Sequence, residues 1–98
     1  MSDTIRITPS EVRAVKDSFN SKADETRELI SYLRSEVASL DGSWEGAAKN
    51  QFSQNFEEYG KTLDQIPEGL VGVGDVLESI ASTLEDLDAQ LASNIRQA

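Results

Sequence analysis

The stretch Asp41-Gly42-Ser43-Trp44-Glu45-Gly46 is where this 98-residue chain turns. It places two glycines, a serine and an aspartate together, the residue types that punctuate regular structure. It also holds the single tryptophan. On either side, apolar residues recur at helical spacing, so the stretch reads as the connection between two helices.

Upstream, the start of the first helix is well specified. Thr8 suits the N-cap, Pro9 the first helical position, and Glu11 completes a capping box with Thr8. Ile7 and Val12 sit where a hydrophobic staple would place them. From there Val12, Val15, Phe19, Ala23, Thr26, Ile30, Leu33, Val37 and Leu40 recur at steps of three and four, the spacing of a coiled-coil-like seam. The pattern predicts a first helix over about 9–40, ended by Asp41-Gly42 with Gly42 as a left-handed cap.

Downstream, Ser43 is placed to cap a second helix, with Glu45 in its first turn favoured by the helix dipole. Its seam is longer: Phe52, Phe56, Tyr59, Leu63, Ile66, Leu70, Val73, Leu77, Ile80, Leu84, Leu87 and Leu91. Pro67, Gly69, Gly72 and Gly74 are poor helix formers, at about 3 kcal/mol for an interior proline and about 1 for each glycine. Yet Ile66, Leu70 and Val73 keep the phase across the proline, and a loop has no reason to preserve phase. The expectation is a helix over about 46–95, kinked near Pro67, in a single domain spanning 1–98.

Together these predict an all-α, elongated, antiparallel helix-turn-helix hairpin. Such a hairpin covers only part of each apolar stripe, and each large side chain left wet forfeits roughly 1.5–3 kcal/mol. Two hairpins packed as a four-helix bundle would cover them. The seam residues expected to form core or dimer contacts are Val12, Val15, Phe19, Ile30, Leu33, Val37, Phe52, Phe56, Tyr59, Leu63, Leu70, Leu77 and Leu84. Basic residues Arg6, Arg13, Lys16, Lys22, Arg27 and Arg34 precede the turn, and acidic residues dominate after Lys61, so the two helices carry complementary charge.

Composition narrows function. A formal net charge of −9 disfavours nucleic acid and anionic membrane surfaces as partners. The chain has no cysteine and no histidine, which removes thiol and imidazole chemistry and most transition-metal sites. Gly60-Lys61-Thr62 matches the end of a phosphate-binding loop, but Asn55 stands where that loop needs glycine. Gly69, Gly72 and Gly74 have the wrong order for a dinucleotide fingerprint. The acidic runs lack calcium-loop spacing. The expectation is a protein that is not an enzyme and takes no cofactor. The first residues show no apolar signal region, and no window approaches the about 18 apolar residues of a membrane span.

With Trp44-Glu45-Gly46 between two long helices in a chain of this size, the protein resembles the WXG family of early-secreted-antigen-like proteins. The resemblance covers nearly the whole chain. It implies a virulence-associated protein synthesised in the cytoplasm and secreted without a cleavable signal peptide by a type VII (ESX or Yuk-type) system. Implied partners are a second copy in a homodimer or a paralogous WXG protein in a heterodimer, and a secretion ATPase of the FtsK/SpoIIIE type. Membrane contact would come only through that machine. Trp44 and Gly46 are the signature turn. The family's tail tyrosine is absent, since the tyrosines are Tyr32 and Tyr59. Leu84, Asp88, Leu91 and Ile95 are instead similar to the tail pattern of members from low-GC Gram-positive bacteria, which implies an export signal there and favours a homodimer. The competing readings are a cytosolic coiled-coil scaffold or adaptor and, further off, a membrane-active effector, against which the strong acidity argues.

Overall fold

The computed structural model describes residues 7–40, 42 and 45–97, with only the backbone described at 96 and 97. Two helices account for nearly all of it: α1, Pro9–Ala38, and α2, Ala47–Gln97. Cross-helix partners run in opposite order, Arg13 against Glu78 and Arg34 against Gly60 and Asp64, so the helices are antiparallel. The hairpin measures 79 × 24 × 16 Å. With helix diameters of about 10–12 Å, that cross-section is two helices wide and one deep.

The start of α1 follows its local chemistry. The Thr8 hydroxyl accepts from the Glu11 N–H at 3.2 Å, and Pro9 opens the helix. Val12 is buried, whereas Ile7, expected to staple it, stays half-exposed. The end of α1 departs from expectation. The helix stops at Ala38, and its cap is Ser39, a right-handed residue whose N–H bonds the Ser35 carbonyl. Gly42 is therefore not the cap. The left-handed glycine is Gly46, at φ +90°, just before α2. Its carbonyl accepts the first helical bond, from Asn50 N–H at 3.1 Å. No acidic residue lies in the first turn of α2, because Glu45 falls before the helix begins. Asp41, Ser43 and Trp44 lie outside the described residues, and with them the expected Ser43 cap.

α2 runs as one helix through Pro67, which is buried on the side facing α1. The burial pattern fixes the seam. Counting heptads with Val12 and Phe56 at d, the α1 residues turned towards α2 are Val12, Phe19 and Thr26 at d and Lys16, Ala23, Ile30 and Val37 at a. On α2 they are Phe56, Leu63, Leu70, Leu77 and Leu84 at d, alternating with Gly60, Pro67, Gly74 and Ala81 at a. Large and small residues thus alternate along α2. Gly60 and Gly74 leave space that polar stems fill: a Cβ on Gly60 would lie 2.8 Å from the Arg34 guanidinium, and one on Gly74 would lie 3.0 Å from the Asn20 side-chain oxygen. Among the described residues the buried apolar core is small: Val12, Ala23, Ile30 and Ala81, beside the buried Gly60, Pro67 and Gly74.

Ion pairs close one edge of this seam. Arg13 forks between two acids, with Nη2 donating to Glu78 Oε2 at 3.0 Å and Nη1 to Glu85 Oε2 at 2.6 Å. Lys16 Nζ donates to Glu78 Oε1 at 3.0 Å. Further along, Arg34 grips both oxygens of Asp64 at 2.9 Å and reaches the Gly60 carbonyl at 3.1 Å. These acids and arginines occupy the e positions of both helices, the flank that meets across an antiparallel pair. The pairings set the register and leave the last α2 residues, from about Leu87, beyond the start of α1.

Two glycines separate strain from propensity. Among the described residues nothing lies within 4 Å of a Cβ placed on Gly46 or on Gly72, so backbone terms decide each substitution. Gly46→Ala forces a side chain into the left-handed region and is expected to cost about 1–2 kcal/mol. Gly72→Ala, on the outer face of a regular helix, is expected to gain up to about 1 kcal/mol. Thermal melts of the two variants should move in opposite directions.

The edge of ion pairs also carries a pH signature. Hydrogen bonds from Arg13 and then Lys16 hold Glu78 down to about 2, against an ordinary 4.5, and Glu85 and Asp64 are lowered by Arg13 and Arg34 respectively. Depressed carboxylates contribute stability above their unfolded pKa and lose it as pH falls through the folded value. For Glu78 that window runs from about pH 4.5 down to about pH 2. Protonation elsewhere relieves the repulsion of a chain at −9, so the comparison must be differential. Glu78→Gln should melt lower than the parent at neutral pH, with the gap closing across that acidic window.

Candidate functional site

No group of three or more acidic residues among those described is arranged to hold a metal ion. A shallow surface hollow between the helices is lined by Arg27, Ile30, Arg34, Asp64 and Pro67, and another lies along α1 alone, at Asp17, Ser21 and Glu25. The feature that needs explaining is a surface. Opposite the ion pairs, the g positions of both helices form the other edge of the hairpin. On α2 these are Phe52, Tyr59, Ile66, Val73, Ile80 and Leu87; on α1 they are Val15, Lys22, Leu29 and Glu36. Val15, Leu29, Tyr59, Ile66, Val73, Ile80 and Leu87 are all 42–70% exposed. Leu33, Leu40 and Val76 add to the uncovered apolar surface.

Sequence periodicity counted two stripes as one. Tyr59, Ile66, Val73 and Ile80 keep perfect seven-residue spacing, but they flank the seam. The positions that face α1 are their C-terminal neighbours Gly60, Pro67, Gly74 and Ala81. On α1, Val15 is exposed and Lys16 takes the inward position, its stem lying against Gly74 while its ammonium reaches Glu78. Leu33 is also exposed, and Arg34 beside it turns inward. Of the other expected seam residues, Val12 and Ile30 are buried, and Phe19, Val37, Phe52, Phe56, Leu63, Leu70, Leu77 and Leu84 are half-buried. Phe52 and Phe56 stack with ring centroids 5.9 Å apart. The small residues at a were the missed signal: glycine, proline and alanine repeating every seven residues mark a seam that a count of large apolar residues overlooks.

Two further groups of residues, both expected from the sequence to matter, lie towards the ends of the rod. Leu84, Asp88, Leu91 and Ile95 lie in the last turns of α2. Leu84 is half-buried against the seam, while Asp88, Leu91 and Ile95 are exposed on the part of α2 that outreaches α1. At the opposite end of the rod, Gly46 fixes the entry into α2, as described above, and Trp44 lies outside the described residues. Gly46 and the tail residues are thus separated within one hairpin by most of its length.

This arrangement has close parallels among known proteins. The WXG100 profile, proteins of 100 residues with WXG, matches residues 4–89. Protein YukE of Bacillus subtilis is 29% identical over 96 residues, covering 98% of this chain and 99% of that protein. Type VII secretion system extracellular protein A of Staphylococcus aureus is 27% identical over 90 residues, covering 92% and 93% respectively. Among solved structures, EsxA of Geobacillus thermodenitrificans is 36% identical, covers 94% of this chain and 99% of its own, and superposes with a TM-score of 0.74. The secreted protein EsxB of Bacillus anthracis is 29% identical, with coverage of 89% and 99% and a TM-score of 0.76. A profile match that takes in all of α1 and most of α2, joined to full-length relatives with the same hairpin, shows that the chain belongs to the WXG100 family.

Proposed function

We propose that this protein is a substrate of a type VII secretion system, exported as a folded dimer without a cleavable signal peptide. The observation that carries the reading is the uncovered apolar edge, which runs along both helices of a chain similar over its length to a named type VII extracellular protein. A lone hairpin would expose that edge to water in every compartment, whereas a paired hairpin buries it. The partner of that edge is another WXG hairpin. Among the described residues no helix is long and apolar enough to cross a membrane, so contact with the bilayer falls to the secretion machine and its FtsK/SpoIIIE-type ATPase.

Recognition is assigned to the Trp44-Gly46 turn and to the tail bearing Leu84, Asp88, Leu91 and Ile95. Because Gly46 and the tail lie at opposite ends of one hairpin, antiparallel pairing of two hairpins would bring the tail of one copy beside Gly46 of the other. The recognition surface would then exist only on the assembled dimer, which excludes unpaired chains from export.

The test is the partition of the protein between culture supernatant and cells, against a cytosolic lysis marker, with and without the secretion ATPase. Export that depends on the ATPase is the expected result. Trp44→Ala and Asp88→Ala should each remain dimeric and stay inside the cell. Retention of the parent protein under all conditions would instead support a cytosolic scaffold.

A further inference from the structure

Within the two helices, the apolar edge carries two charged residues among its g positions, Lys22 and Glu36, and their placement is symmetric. They have opposite sign and lie seven residues either side of Leu29, itself 55% exposed. Two copies of α1 laid antiparallel with their Leu29 residues in contact would bring each Lys22 opposite the other copy's Glu36. We propose that Lys22 and Glu36 are the partner-selecting residues of this edge, and that they make a second copy of this chain its matched occupant. The proposal rests on the dimer reading above and deepens it by naming the partner and the register.

The alternative symmetric arrangement places the two-fold axis along the rod, setting α1 of one copy against α2 of the other. Lys22 and Glu36 would then face Tyr59, Ile66, Val73 and Ile80, with no charge opposite at any of these positions. Covering a charge without a partner is costly, so this arrangement is disfavoured. In the antiparallel α1–α1 arrangement each charge finds one partner, and symmetry makes the pair twice. In the hairpin itself Lys22 meets only Glu25, at 3.2 Å, with 69% of its side chain exposed. A pair one turn apart on the same helix is weak, leaving the ammonium able to redirect.

The register extends to α2. Asn20 lies against Gly74 and Arg34 against Gly60, so Leu29 is level with residues 65–66. An axis through Leu29 therefore passes beside Ile66 and sets α2 against α2 with apolar g residues on both sides. The same axis brings Leu84 of one copy level with Ala47, the first residue of α2, in the other. A register chosen by charge in α1 thus sets the tail of one copy beside the start of α2 in the other without further adjustment.

Charge reversal tests this directly. Lys22→Glu and Glu36→Lys each place like charges opposite one another at two equivalent sites, and each alone should weaken self-association about tenfold. Mixed in equal amounts, the two variants should form heterodimers in preference to either homodimer, with affinity near that of the parent, as read by native mass spectrometry and sedimentation equilibrium. The preference should fade in about 1 M salt, where the screening length falls to about 3 Å. Because the chain has no cysteine, Leu29→Cys offers a second readout. A short bis-maleimide should link it to itself, whereas Leu40→Cys, about 33 Å from its symmetry mate in this register, should remain unlinked. A mixture without heterodimer preference, or linking at Leu40 and not at Leu29, would overturn the register while leaving the dimer reading intact. A parent chain that sediments as a monomer would overturn both.

Discussion

Two helices lying side by side cannot enclose an apolar stripe three positions wide. That constraint governs the molecule. α2 carries small residues at a, large ones at d and large ones again at g, and α1 is broad enough to cover only the first two. The ion pairs of Arg13, Lys16 and Arg34 settle which edge is closed, since they hold the helices together on the e side. Solvent screens them, so they supply little energy. Their contribution is to direction: polar groups finish one edge and leave the other apolar. The proposed pairing rests on that asymmetry and not on any concave site.

Much of this was legible in the sequence because the signals were local. Thr8, Pro9 and Glu11 specify a helix start with groups no more than three residues apart, and the hydroxyl-to-amide bond forms as the spacing requires. The unbroken phase across Pro67 outweighed a propensity penalty that pointed to a break, and α2 is a single helix there. Charge bias also read through, because bases before the turn and acids after it have few other partners within reach in a hairpin.

What failed to read were choices between adjacent faces. An apolar residue at g and one at d look alike on a helical wheel, and only the other helix decides which is covered. Tyr59 is 70% exposed while Gly60 beside it is buried, the reverse of the order that apolar side-chain area would give. Lys16 takes an inward position because its long stem lies over a glycine while its charge finds Glu78. The connection misled for a related reason. Gly42 and Gly46 are both plausible left-handed residues, and local composition cannot say whether the chain needs that conformation to leave α1 or to enter α2.

The shape of the rod has a consequence in solution. Its radius of gyration is 22.7 Å, whereas a compact chain of this length has about 13 Å. Drag and diffusion follow dimensions, so a single hairpin will elute from a sizing column well ahead of globular standards of its own mass. Lateral pairing adds thickness with little length, so a dimer will be displaced from the monomer by less than doubling of mass suggests. Elution position therefore confuses one copy with two, and only methods that weigh the particle will count its chains.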